Sequence, residues 1–519
     1  MKTTKGKILW VDDEIDHLRS HIVFLEEKGY AIHPVSNAKD ALSILQENKY
    51  DLVLLDEMMP GMDGLQALAV IKEQDPAMPV VMITKSEEEN LMEEAIGAKI
   101  EDYLTKPVNP SQILSSCKRI LERQKIAQEK ITRDYTAEFG EISAALDSAM
   151  SESDWIDIHI KLSERDLDLD AHPDLGLRQT LDDQRKECNQ AFGRFVEDNY
   201  VNWIQTREHP VLSTDVVKTY VAPPLQAGRQ VLFIVIDNLR LDQWMTIEPL
   251  LYEYFNITRH YYFSILPTAT PFSRNSIFSG LFPVDIEKKY PDLWKMGEDD
   301  ESSRNRYEDV LLIDQLKRLK FDWADQAKYI KLVDPEEAKG LVGRFGQITD
   351  VPLTAMVFNF VDILAHRRSD SQVLREIVPD EPAYRSLTKT WFEHSALFQV
   401  LKLASKEKIS VVLTTDHGSI RAMRGATVFA DKETSTNLRY KYGRAIRSDK
   451  KQIMTIKDPA VYGLPARGIN TNYLIAREDY YFVYPTNYHK YLALYRDSFQ
   501  HGGISMEEMI LPVVQLDNV

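Results

Sequence analysis

The side chains in this sequence best equipped for chemistry are Asp237, Thr270, Asp362, His366, Asp416, His417 and His501. Asp362 and His366 are four apart, so one helical turn puts both on one face. Asp416, His417 and Gly418 are consecutive, and a glycine there lets the backbone turn sharply. His501-Gly502-Gly503 stands just before Ser505 and Glu508, which have the spacing of a capping box at a helix start. Carboxylates and imidazoles without a thiolate favour zinc, with manganese as the alternative. Six such ligands are too many for one catalytic tetrahedral zinc and enough for two metals with positions open for substrate. Two metals roughly 4 Å apart can clamp the attacking and leaving oxygens of a phosphoryl displacement. The stretch Pro267-Thr268-Ala269-Thr270-Pro271-Phe272-Ser273-Arg274-Asn275-Ser276 offers the nucleophile. It is a hydroxyl-rich turn leading into a helix, whose N-terminus supplies N–H groups to phosphate oxygens. A metal can activate either Thr268 or Thr270 there. Asn238, Arg274 and Asn275 are weaker candidates for touching substrate. Taken alone, Arg274, like Arg240, reads as a surface arginine.

A second set lies near the N-terminus. Asp12 and Asp13 follow the first apolar run, Asp56 the third, Thr84 the fourth and Lys106 the fifth, with Pro107 next. Clustered carboxylates repel one another and need a divalent cation, and hard oxygen ligands on a small open site suit magnesium. With the cation neutralising a phosphoryl group, Asp56 can attack it, Lys106 can pair with its oxygens and Thr84 can turn to bond them.

Strand ends must position both sets. Ile8–Val11, Leu52–Leu55 and Val80–Ile83 read as buried parallel strands, with weaker signals at Ala31–Val35 and Asp102–Leu104. Amphipathic stretches such as His17–Lys28 and Ala38–Asn48 separate them, which predicts a small doubly wound domain over 1–122. From 123 to 205 glycine and proline are sparse and apolar residues recur at helical spacing. That predicts a helical bundle, broken at His172-Pro173-Asp174. Strand signals return at Val231–Ile236, Ala355–Phe360 and Val411–Thr414, each followed by an aspartate: Asp237, Asp362 and Asp416. In open α/β sheets ligands bind beyond the C-terminal ends of strands, so residues 206–519 are expected to form an α/β domain whose carboxylates converge. The stretches 284–350 and 420–495 lack the pattern and read as insertions that could cover the site.

The chain's 519 residues suit about three domains. A formal charge of −17 makes it a poor generic binder of duplex DNA, and no helix-turn-helix pattern is evident. No run approaches the ~20 apolar residues of a membrane span, and Ile8-Leu9-Trp10-Val11 is too short for a signal-peptide core. A cytoplasmic protein is expected, with Cys117 and Cys188 as reduced core thiols.

The motifs Trp10-Val11-Asp12-Asp13-Glu14, Leu55-Asp56-Glu57-Met58-Met59-Pro60-Gly61-Met62-Asp63-Gly64 and Thr105-Lys106-Pro107 resemble those of response-regulator receiver domains. The resemblance implies that Asp56 is the phosphoacceptor. It implies magnesium on Asp12, Asp13, Asp56 and the Met58 carbonyl, Thr84 and Tyr103 as the switch pair, and a sensor histidine kinase as partner. From about residue 229 onward the sequence resembles the alkaline-phosphatase superfamily, and within it the PglZ domain. By that pattern Asp237, Asp416, His417 and the nucleophile share one zinc, Asp362, His366 and His501 share the other, and Pro-Thr-x-Thr favours Thr270 over Thr268. A threonine here argues against a sulfatase. The order of the three parts is similar to that of the PorX-type family of regulators, associated with type IX protein secretion. That similarity implies phosphorylation-promoted dimerisation and hydrolysis of nucleotide phosphodiesters, with cyclic oligonucleotides among the candidates. The alternative is a metal-stabilised module that docks a secretion or transcription partner without turnover.

Overall fold

The computed structural model describes residues 4–76, 78–85, 100–206, 208–294, 304–332, 335–429, 437–444, 446–448, 451–466, 468, 470–486 and 488–518. The chain divides into two units, Met1–Tyr135 and Thr136–Val519.

In the first unit β1 (Lys7–Val11), β2 (Ala31–Val35), β3 (Leu52–Asp56), β4 (Val80–Thr84) and β5 (Asp102–Thr105) form a parallel sheet in the order β2-β1-β3-β4-β5. Alternate residues face opposite layers, as the strand period of two requires. Leu9, Val11, Val53, Leu55, Val80 and Met82 pack toward α2 (Ala38–Glu47) and α3 (Gly64–Gln74). Ile8, Trp10, Leu52, Leu54, Val81 and Ile83 pack with Leu25 of α1 (Arg19–Glu27) and with Ile113 and Cys117 of α4 (Pro110–Leu121). Burial on both faces explains why these strands read as continuous apolar runs. The chain between β4 and β5 lies largely outside the described residues.

The helical middle consists of α5 (Arg123–Leu146), α6 (Glu152–Ala171) and α7 (Arg178–Gln205). The break falls at the expected place, with Pro173–Leu175 a short 3₁₀ turn closed by Gly176 at φ 68°. Both α6 and α7 pack within the second unit, against the C-terminal sheet domain. Arg185 of α7 pairs with Asp166 of α6 and reaches Glu507 at 3.1 Å. Arg385 pairs with Asp170 of α6 at 2.7 Å. The Tyr200 hydroxyl of α7 accepts from the Leu266 backbone N–H at 2.7 Å. Cys117 and Cys188 are both buried and free.

The second unit is built on a six-stranded mixed sheet of β6 (Val231–Ile236), β7 (Phe255–Phe263), β8 (Lys328–Leu332), β9 (Leu353–Phe358), β10 (Ser410–Thr414) and β11 (Ile510–Asn518). The order is β7-β11-β10-β6-β9-β8. Strands β10, β6, β9 and β8 run parallel, and β11 is antiparallel to both of its neighbours. The three strands that precede Asp416, Asp237 and Asp362 are therefore consecutive in space, β10-β6-β9, and end on the same side. Smaller sheets, including Tyr440–Arg444 with Thr471–Ala476, lie in the stretch that read as an insertion. Among the described residues no helix is long and apolar enough to cross a membrane.

Candidate metal and phosphoryl-transfer sites

In the receiver unit Asp12, Asp13 and Asp56 bring carboxylate oxygens within 4.8 Å of one another beyond β1 and β3. Asp12 and Asp56 are buried, while Asp13 is exposed. Lys106 Nζ lies 2.8 Å from Asp12 Oδ2 and 2.9 Å from Asp56 Oδ1. Burial pushes the Asp56 carboxyl up to about 6, and Asp12 adds to the shift against the pull of Lys106. The Thr84 hydroxyl is buried and donates to Glu57, an acid that the sequence reading left without a role. Tyr103 is half-buried on β5. Met58 is 62% exposed, so its side chain adds nothing to the site.

In the second unit the six predicted ligands fall into two groups. Asp237, Asp416 and His417 form one, and Asp362, His366 and His501 the other, with donor atoms in each within 4.8 Å of one another. The two groups adjoin, for the His417 and His501 rings stack with centroids 4.2 Å apart. Strand β9 ends at Phe358, two residues earlier than the apolar run suggests. Asn359 precedes α11 (Phe360–Asp370), and Asp362 and His366 stand one turn apart on that helix.

Thr270 opens α9 (Thr270–Ser279). Its Oγ1 is 3.0 Å from His417 Nε2 and 3.4 Å from Asp237 Oδ1. His417 Nδ1 faces the Gly418 carbonyl at 3.2 Å, which holds the ring proton on Nδ1 and turns the Nε2 lone pair toward Thr270. Gly418 is needed on steric grounds, because a Cβ there would stand 2.0 Å from the Glu507 carbonyl oxygen. Thr268 is occupied elsewhere. Its hydroxyl donates to Gly503 O at 2.7 Å and accepts from Gly502 N at 3.2 Å, fastening the His501 loop. That loop is also held by Glu508, which accepts from Gly503 N at 2.8 Å and pairs with buried Arg439 at 2.6 Å. Ser505 caps the short helix α13 (Met506–Met509) through Glu508 N at 3.2 Å, as its spacing suggested.

Asn238 adopts φ 64° and spans both groups. Its N–H faces Asp416 Oδ1 at 3.4 Å and its Nδ2 faces Asp362 Oδ1 at 3.1 Å. Arg274 and Asn275 are both buried and bonded to protein partners. Arg274 is 1% exposed and donates to Asp237 Oδ2 and Glu308 Oε1, each at 2.6 Å. Asn275 is buried and donates to Pro271 O at 3.0 Å within its own helix. Arg240 is likewise buried, paired with Asp242 and with Glu381, which opens α12 (Glu381–His394). A single sequence gives no sign of the acids that draw these arginines inward, since Glu308 lies in the stretch that read as an insertion.

The donor set fits divalent cations. Asp416 Oδ2 is buried and accepts no hydrogen bond among the described residues. Burial and the Asp416 charge push the Asp237 carboxyl up to about 7, while burial takes Asp416 to about 6, each against the pull of Arg274. Burial lowers the His417 pKa, keeping the imidazole neutral as a ligand must be. His366 Nε2 and His501 Nε2 are 3.2 Å apart, and they lie 3.4 and 3.6 Å from Asp362 Oδ1. Lone pairs aimed at one point in a site of excess negative charge are the arrangement a metal resolves.

Comparison with known proteins agrees with this architecture. The BREX system PglZ alkaline phosphatase-like domain matches residues 216–516, the response regulator receiver domain 8–118 and the PorX response regulator linker domain 125–204. The chain thus belongs to the PglZ alkaline phosphatase-like family and is, by the order of its three parts, a PorX-type regulator. Over 122 residues it is 38% identical to the transcriptional regulatory protein ResD of Bacillus subtilis, covering 24% of this chain and 50% of that protein. Over 119 residues it is 35% identical to the transcriptional regulatory protein SrrA of Staphylococcus aureus, covering 23% of this chain and 48% of that one. The chain thus spans about half the length of the curated relatives it matches. A CheY-like receiver domain protein from Methanospirillum hungatei is 29% identical, with 23% of this chain and 95% of that one covered and a TM-score of 0.22.

Proposed function

We propose that the protein is a two-component regulator, associated with type IX secretion, whose output is zinc-dependent hydrolysis of nucleotide phosphodiesters, with cyclic oligonucleotides among the candidate substrates. A sensor histidine kinase supplies the phosphoryl group to Asp56, with magnesium on Asp12, Asp13, Asp56 and the Met58 carbonyl. Thr84, Tyr103 and Lys106 report the change, and phosphorylation promotes a homodimer and gates the output. The protein works in the cytoplasm, with functional parts at 1–122, 123–205 and 206–519.

The observation that carries the catalytic reading is the Thr270 hydroxyl, at a helix N-terminus and 3.0 Å from an imidazole nitrogen of one of two adjoining clusters of metal-type donors. Asp237, Asp416 and His417 would hold one zinc and Asp362, His366 and His501 the other. Bound there, the ions would lower the pKa of the threonine hydroxyl and neutralise phosphoryl oxygens. Thr270 Oγ attacks phosphorus, the leaving alkoxide departs, and water hydrolyses the phosphothreonine to restore the hydroxyl. The N-terminus of α9 favours the negative charge that builds on the non-bridging oxygens.

The test is turnover of a chromogenic phosphodiester and a monoester by the zinc-loaded protein and by Thr270→Ala. Turnover that survives the substitution removes Thr270 from the mechanism. No turnover on either ester favours the metal-stabilised docking module. A beryllofluoride adduct on Asp56 that alters neither oligomeric state nor turnover discards the gating.

A further inference from the structure

Behind the Asp237 group lies a buried set of polar residues to which the family pattern gives no task. Glu308, at the start of α10 (Glu308–Arg318), is 1% exposed, and its carboxylate gathers four donors. Arg274 Nε donates at 2.6 Å, Asn305 Nδ2 at 2.6 Å, the Tyr329 hydroxyl also donates, and Lys331 Nζ stands 3.5 Å away. Two of these donors continue to the site. Arg274 Nη1 donates to Asp237 Oδ2 at 2.6 Å, and Asn305 Nδ2 reaches the Thr270 carbonyl oxygen at 3.2 Å. Arg274 and Thr270 are four apart on α9, so one helix face carries both the hydroxyl and the guanidinium.

We infer that Glu308 is the positioning residue of the zinc centre that Asp237 helps to form, acting through Arg274 on the carboxylate and through Asn305 on the nucleophile's backbone. The inference rests on the two-metal reading above. A guanidinium is a rigid fork. With Nε fixed on Glu308, its Nη1 is aimed at one oxygen of Asp237. Oδ2 is thereby occupied, and Oδ1, 3.4 Å from Thr270 Oγ1 and 3.6 Å from His417 Nε2, is left as the single oxygen offered to a metal. Nη1 also lies 3.8 Å from Asp416 Oδ2, so one buried cation offsets the repulsion between two ligand carboxylates. Without Glu308 the guanidinium would be free to swing onto Asp416 or to pair with both Asp237 oxygens, either of which blocks a ligand atom. Outer partners of metal ligands carry effects on the order of 10- to 100-fold in metal affinity or activity.

The experiment uses the full chain as the isosteric variant Glu308→Gln, with Tyr329→Phe as a milder one that keeps the carboxylate and removes one donor to it. Zinc affinity of the stripped proteins is read by competition with a chromophoric chelator, and folding by melting temperature. Activity on a chromogenic phosphodiester is split into kcat and KM. Glu308→Gln is expected to weaken one of two zinc-binding events about 10- to 100-fold and to lower kcat with KM little changed, and Tyr329→Phe to do the same to a smaller extent. A purely structural role would lower the melting temperature while leaving the zinc competition curve and kcat of the folded fraction at wild-type values, and that result overturns the inference. Wild-type protein that binds no zinc and turns over nothing would instead sink the two-metal reading itself, before any variant is compared.

Discussion

The receiver site and the C-terminal site solve one electrostatic problem in two ways. Both gather aspartates beyond the C-terminal ends of adjacent parallel strands, where an open α/β sheet leaves room for a ligand. In the receiver the cluster opens to solvent at one acid. Asp13 is exposed, the compensating charge is the partly exposed Lys106, and among the described residues no imidazole takes part. Such a site suits a weakly held, hydrated cation and a phosphoryl group that comes and goes. In the second unit Asp237 and Asp416 are buried and Asp362 is half-buried, each group has imidazole partners, and the fixed cation is a guanidinium locked by Glu308. Nitrogen ligands, with burial at the Asp237 group, suit tightly held zinc. Ligand type and the nature of the fixed cation, more than the number of acids, distinguish the two sites.

The contrast breaks most sharply at the two acceptor side chains. Thr270→Ala should lower zinc-dependent phosphodiester turnover by ~10³-fold or more, the order seen when a nucleophile is removed, while phosphorylation of Asp56 by acetyl phosphate proceeds normally. The converse variant, Asp56→Asn, should abolish the phosphorylated band on a phosphate-affinity gel and leave zinc stoichiometry unchanged. If either substitution disables both chemistries, the two sites are not separable.

Next in size is a loop effect. Thr268→Val removes the hydroxyl that ties Gly502 and Gly503 to the nucleophile turn. It should cost about 10-fold in turnover and weaken zinc at the His501 group, an outer-partner effect. A loss as deep as that of Thr270→Ala would return Thr268 as a nucleophile candidate.

The smallest effect is a pH trend in the metal-free protein. Asp237 and Asp416 ordinarily titrate near 3.8 but reach about 7 and about 6 in the fold. Between those values the folded protein holds more protons than the unfolded chain, so their contribution to stability falls as pH rises through that window. The zinc-free melting temperature should drop a few degrees from pH 5 to pH 8. Zinc affinity should rise over the same range, because the ligands must lose their protons. Asp237→Asn should flatten the first trend, and an unchanged slope would mean that the excess charge is compensated elsewhere.

Much of this was legible in the sequence, because strand ends announce themselves. Apolar β-branched runs followed by aspartate located Asp12, Asp56, Asp237 and Asp416, and helical spacing paired Asp362 with His366. The buried cations were not legible. Nothing local distinguishes Arg274 or Arg240 from surface arginines, since what buries them is an acid far along the chain, Glu308 for one and Glu381 for the other. The task of Thr268 was hidden for a similar reason, as its partners are glycines more than two hundred positions away. Tyr262 and Tyr481 are core residues whose hydroxyls reach the Thr415 and Leu492 carbonyls, contacts equally invisible to local pattern.

The bonds that α7 makes have a practical corollary for anyone cutting this gene into pieces. Arg185 and Asn189 hold Glu507, and Asn189 Oδ1 accepts from the first N–H of α13 at 2.8 Å. Tyr200 secures the strand exit that leads to Thr270. A fragment starting at residue 206 would strand buried Glu507 without its arginine, at about 3–5 kcal/mol for a broken buried pair, and deprive Arg385 of Asp170 while leaving it Asp242. The C-terminal α/β part therefore has its foundations in the preceding helices, and a recombinant piece meant to stand alone should begin ahead of α6.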